Sequence, residues 1–159
     1  MSFLLSFIIP HFKIVRENIE REQKHQIIYN VRKGLSSIKD LSTSVYENII
    51  LTNLTGHITT ADVNVWFNSF EKKCQLFISQ GKKYKLFVNR KGYTPEHFSV
   101  QKQWKDKFFS ENILENTMAI AFLMEEGDIL NHLKDSNTKS NVVFSSNYEQ
   151  LIDWLSTYK

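Results

Sequence analysis

The chain has 159 residues, 42% of them hydrophobic, and a formal net charge of +3, which suits one domain with a real core and room for one added element. Five glycines and two prolines exclude a disordered or low-complexity chain, and a single cysteine, Cys74, excludes an internal disulfide and fits a reducing compartment. The charge is uneven: ten Lys and Arg face three acids from Glu71 to Ser110, and three Lys face eight acids from Glu111 to the end.

In chain order, residues 1–9 form an apolar opening, far short of the roughly 20 residues of a membrane span. It carries neither the basic start nor the small-residue cleavage site of a secretory signal, so a cytoplasmic location is expected. After Pro10, an apolar stripe through Val15, Ile19, Ile27, Val31 and Leu35 predicts an amphipathic helix closed by Gly34. Residues 1–34 therefore read as an accessory tail and helix that pack on the domain or serve as a homodimer arm, with the domain proper at 35–159.

A first strand is open between Leu35 and Val45, and a clearer one runs from Tyr46 to Gly56. Asn53-Leu54-Thr55 matches a glycosylation sequon, taken as chance without a secretion signal. Thr59 or Thr60 can cap the next helix, with Asp62 in its first turn. Its core face is predicted at Val63, Trp66, Phe67 and Phe70, continued by Leu76, Phe77 and Ile78.

The chain is organised around Tyr84–Val88, whose nearly unbroken apolar run predicts a strand buried on both faces. A polar turn, Asn89 to Thr94, follows, and Thr94-Pro95-Glu96 predicts a helix start with Thr94 as its cap. That helix presents Val100, Trp104 and Phe108 inward. Further strands are expected at Asn116–Met124 and Asn141–Phe144. Between them lies a short helix from Gly127-Asp128 with Ile129, Leu130 and Leu133 inward. The last helix is predicted to start at a Ser146/Glu149 capping box and to bury Tyr148, Leu151, Ile152 and Leu155. Alternating strands and helices predict an α/β domain with a mostly parallel sheet of four to five strands covered by helices.

Two stretches carry a resemblance. Asn53 to Asp62, followed by an aromatic helix, resembles the start of a STAS-like domain. Met118 to Leu123, a short helix, and Asn141 to Leu155 resemble its end. The likeness runs from about Leu35 to Lys159 and is nearest the sporulation anti-sigma-factor-antagonist-like branch of small bacterial proteins. It implies a domain that acts by binding, often to a regulatory protein, with some relatives accommodating apolar molecules or lipids. Where the phosphorylated antagonists carry an acid and a serine pair, this chain reads Val88 to Pro95 without Asp-Ser-Ser, so the phosphoswitch is not carried over.

No catalytic set is legible. The five histidines are scattered without metal-ligand spacing, Cys74 has no obvious base, and Gly92 stands alone rather than in a phosphate loop. The expectation is a non-enzyme with no cofactor and no metal, acting as a regulatory or protein-binding module. Its binding residues are expected at Asn89, Arg90, Lys91, Tyr93 and Thr94, on the loop leaving the buried strand. A carrier of an apolar small molecule or lipid is the alternative, on the strength of twelve phenylalanines and three tryptophans. A nucleic-acid partner, through Lys82, Lys83, Lys85, Arg90, Lys91 and Tyr93, is disfavoured because no recognition motif accompanies the charge.

Overall fold

The computed structural model describes residues 39–159; the expected helix and apolar tail of residues 1–34 lie outside the described residues. A five-stranded, mostly parallel sheet organises the described chain, in the order β1-β2-β4-β6-β7. Its strands are β1 (Thr43–Tyr46), β2 (Ile49–Asn53), β4 (Tyr84–Asn89), β6 (Thr117–Leu123) and β7 (Val142–Ser145). Only the β1–β2 edge pair is antiparallel. Five helices accompany it: α1 (Thr60–Ile78), α2 (Phe98–Phe108), α3 (Glu111–Asn116), α4 (Asp128–Ser136) and α5 (Tyr148–Thr157).

β4 is central and buried at all six positions, as its apolar run predicts. Alternate residues serve opposite faces. Tyr84, Leu86 and Val88 join Ile50, Ile120 and Phe122 under α1 and α2, where Trp66, Phe70, Trp104 and Phe108 form a stacked aromatic cluster. Facing the other way, Phe87 meets Tyr148 of α5 edge-on, with ring centroids 5.3 Å apart. Lys85 lies on that face too and is only 6% exposed. Its ammonium donates to the carbonyls of Leu155 (2.6 Å) and Tyr158 (2.7 Å) and so satisfies the orphan acceptors at the end of α5.

Thr59 caps α1 in a capping box with Asp62, as the hydroxyl-plus-acid spacing predicts. The buried stripe of α1 runs Val63, Trp66, Phe70 and Cys74, whereas Leu76 is 52% exposed. The helical period carries the core face to Cys74 and turns Leu76 outward.

Four other expectations are corrected. The strand expected over Tyr46–Gly56 is shorter: β2 covers Ile49–Asn53, the turn Glu47–Asn48, with Glu47 at φ 52°, separates it from β1 in a hairpin, and Gly56 begins a separate short strand. Thr94-Pro95 does not start a helix. Tyr93–Pro95 is a short strand, β5, paired in parallel with β3 (Gly56–Ile58), and α2 begins at Phe98 after His97, without a side-chain cap. Long-range backbone pairing outweighs the local helix signal here. Gly56 donates its N–H to Gly92 (3.1 Å), Glu96 donates to Ile58 (2.9 Å), and Pro95 suits a strand end because it has no N–H to place. At α5, Asn147 rather than Ser146 is the cap, accepting from the Gln150 N–H at 3.1 Å, while the Ser146 hydroxyl donates to Glu126. In α4 only Leu130 is buried, and Ile129 stands 72% exposed.

Candidate functional site

β4, β6 and β7 run in parallel and end together, and the surface beyond their C-terminal ends is where an open α/β sheet concentrates its ligand sites. A cavity of about 760 Å³ opens there. Its floor is Phe122 of β6 and Phe144 of β7, whose rings stack 5.0 Å apart. α2 forms one wall with Trp104 and Phe109; α4 forms another with Leu130 and Leu133. The space persists because α4 makes its main contact with β7, leaving the gap towards α2 lined rather than filled.

Arg90 follows the last residue of β4, and its backbone N–H donates to the Leu123 carbonyl at 2.9 Å, so the neighbouring strand end fixes where it leaves the sheet. Its guanidinium lies between two rings, 3.9 Å from the centroid of Tyr93 and 4.0 Å from that of Trp104. Both distances are within the range of cation–π attraction. One terminal nitrogen, Nη2, donates to Gln101 Oε1 at 2.7 Å. Arg90 Nε, the Tyr93 hydroxyl and Trp104 Nε1 are buried and have no hydrogen-bond partner. Burial pushes the guanidinium down to about 10, against the opposing influence of Tyr93, so the group is still a cation at neutral pH. Burial likewise raises the Tyr93 phenol, with Arg90 working in the other direction. None of the ion pairs among the described residues involves Arg90.

The charged groups of the rim are of a different kind. Lys105 on α2 and Glu125, Glu126 and Asp128 on the segment entering α4 are exposed to solvent, which screens them.

The five loop residues singled out from sequence separate into two groups. Arg90, Tyr93 and Thr94 line the cavity together. Asn89 is fully buried and bonds Asn53 (3.0 Å) and the Lys91 N–H (3.0 Å), and Lys91 is not part of the cavity wall. Sequence reads Trp104, Phe122 and Phe144 only as core and does not single out Gln101. Their signal as wall residues lies in the topology, which brings three distant segments to one sheet end.

The lysines weighed for a nucleic-acid face do not share one. Lys82 and Lys83 are exposed before β4 and Lys91 follows its far end, across a strand of six residues, about 20 Å long. Lys85 is buried between them. No group of three or more His, Cys, Asp or Glu among the described residues is placed to hold a metal, and no described helix is long and apolar enough to cross a membrane. No family model, no curated protein and no solved structure matches this chain.

Proposed function

We propose that this chain is a non-catalytic binding module of STAS type whose site is the cavity at the ends of β4, β6 and β7, and that it takes an apolar small molecule. The carrying observation is the cavity itself: about 760 Å³, with Phe, Trp, Leu and Met side chains in its walls, Arg90, Tyr93 and Gln101 together on one side and charged groups at the rim. Small-molecule sites are concave and mostly apolar, occupy roughly 300–1,000 Å³, and concentrate at this end of α/β sheets. The STAS-type assignment is supported by an antiparallel edge hairpin followed by parallel strands that add to the sheet in chain order.

A protein-binding role is favoured by one separate feature. Phe98, in the first turn of α2, is 82% exposed, and Ile129 at the cavity rim is 72% exposed. A regulatory partner seated on α2 and α4 would cover both and would sense whether the cavity is filled.

The test uses the full chain and N-phenyl-1-naphthylamine, a neutral dye that fluoresces in apolar surroundings. Saturable binding is expected, weakened at least tenfold by Leu133→Trp, which fills the cavity from a half-buried position. Dye binding that is absent, or indifferent to that substitution in a folded protein, removes the cavity from the site.

A further inference from the structure

Resting on the cavity reading above, we infer that the preferred ligand is an apolar molecule carrying one carboxylate, held against Arg90. Three donors with no acceptor occur together in one wall: Arg90 Nε, the Tyr93 hydroxyl and Trp104 Nε1. Elsewhere in the same core the equivalent demand is met, since the Trp66 indole N–H donates to Thr52 Oγ1 at 2.7 Å. Among the described residues, Arg90 Nε, the Tyr93 hydroxyl and Trp104 Nε1 are the buried side-chain atoms without a partner, and all three residues line the cavity.

An arginine Nε and an indole N–H can only donate, and a tyrosine hydroxyl can donate; a carboxylate only accepts, through two oxygens. Arg90 is half-buried overall with its Nε wholly enclosed, and a cation drawn into the protein is ordinarily paired. The aromatic faces of Tyr93 and Trp104 hold the guanidinium flat and attract it but supply no anion, and Gln101 occupies one of its nitrogens with a neutral acceptor. A carboxylate bound there would make charge-assisted hydrogen bonds away from bulk water, where they are strongest.

The charge balance selects a monoanion. Arg90 is the cation held within the wall, whereas Lys105 and the three acids at 125, 126 and 128 stand in solvent at the rim. A phosphomonoester of about −1.5 to −2 charge would exceed what one guanidinium offsets and would meet repulsion from that acidic segment. A neutral molecule would leave the guanidinium unpaired. The apolar remainder of the ligand lies against Phe122, Phe144 and Leu130.

The experiment displaces N-phenyl-1-naphthylamine from the full chain with dodecanoate, dodecanol and dodecylamine, three ligands that share a tail and differ in the head group. Dodecanoate is expected to displace the dye at a concentration at least tenfold below dodecanol, with dodecylamine weakest. In Arg90→Gln the acid is expected to fall to the level of the alcohol while the alcohol is unchanged. Arg90→Lys should retain part of the preference through charge without the planar fork. If Arg90→Gln does not fold, the head-group order in the natural chain decides alone. Equal potency of acid and alcohol, or a dye that no dodecanoate displaces, overturns the carboxylate while leaving the apolar cavity in place. Failure of the dye to bind at all removes both.

Discussion

Asn89 Nδ2 donates to Asn53 Oδ1 at 3.0 Å, joining two buried amides at the C-terminal ends of the neighbouring strands β4 and β2. The chain of bonds continues from Asn53 Nδ2 to the Ser42 hydroxyl and from the Lys91 N–H back to Asn89 Oδ1, each 3.0 Å. A polar residue that reads as the first of an exposed loop is thus the end of the strand and anchors both the loop and the edge of the sheet. Asn89→Leu keeps the size but leaves the Asn53 carbonyl and the Lys91 N–H without partners, so it should cost about 1–3 kcal/mol. Urea denaturation checks this, with the exposed Lys82→Ala as a surface control that should stay within about 0.5 kcal/mol.

Sequence made the strands and helix faces legible wherever the local run or spacing of apolar residues decides the pattern. Tyr84–Val88 and the stripe Val100, Trp104 and Phe108 are buried as their spacing predicts. It was silent where distant backbone decides. The β3–β5 pair depends on Gly56 and Gly92, both at positive φ (87° and 74°), and a Cβ at Gly56 would come within 2.8 Å of the Lys39 Cα. No local signal announces such a pairing, and it overrides the helix start that Thr94-Pro95 predicts. The cavity was illegible for the same reason. Arg90 and Tyr93 belong to one loop, but Trp104 comes from a helix and Phe122 and Phe144 from two further strands. Counting aromatic residues suggested an apolar ligand without showing where it would sit.

Lys85 interrupts an otherwise apolar strand, and the reason is the far end of the chain. Its ammonium donates to the carbonyls of Leu155 and Tyr158, tying the last turn of α5 to the middle of the sheet. Lys85→Met preserves the aliphatic stem and removes those charge-assisted bonds, each about 1.5–3 kcal/mol before the relief of burying a charge is set against it. The expected net effect is a loss of about 1–3 kcal/mol. It should be accompanied by faster amide exchange in residues 155–158 than in β4. Unchanged exchange at the end of α5 would show that Lys85 does not hold it.

Cys74 closes the buried stripe of α1 at 1% exposure, and burial pushes its thiol up to about 11, with Tyr84 acting in the opposite sense. The thiolate is the reactive form, so it is scarce at neutral pH and shielded as well. In the native protein, a disulfide reagent such as dithionitrobenzoate should label this residue at least a hundredfold more slowly than in denaturant. Rapid native labelling would mean that α1 opens readily from the sheet.

Asp62 holds the start of α1 from two directions. Its carboxylate accepts from the backbone N–H of Thr59 at 2.9 Å and from the Lys39 ammonium at 2.6 Å, while the Thr59 hydroxyl accepts from the Asp62 N–H at 3.2 Å. Burial alone would raise its pKa, but the bonds to Lys39 and Thr59 outweigh that and hold the carboxyl below its ordinary value. The folded state therefore binds this proton more weakly than the unfolded chain does. Its stabilisation is full above the unfolded carboxyl value, about 4, and is lost as pH falls through the folded value. Asp62→Asn keeps the shape and the cap's N–H but removes the charge and weakens the reciprocal bond. It should cost about 1 kcal/mol at pH 7, in the range of a helix cap with a partly exposed ion pair. The difference between Asp62→Asn and the natural chain, followed by thermal unfolding from pH 7 down to pH 3, should hold steady to about pH 5 and shrink below it. A gap that stays constant into acid would assign the effect to the hydrogen bonds of the amide and not to the carboxylate charge.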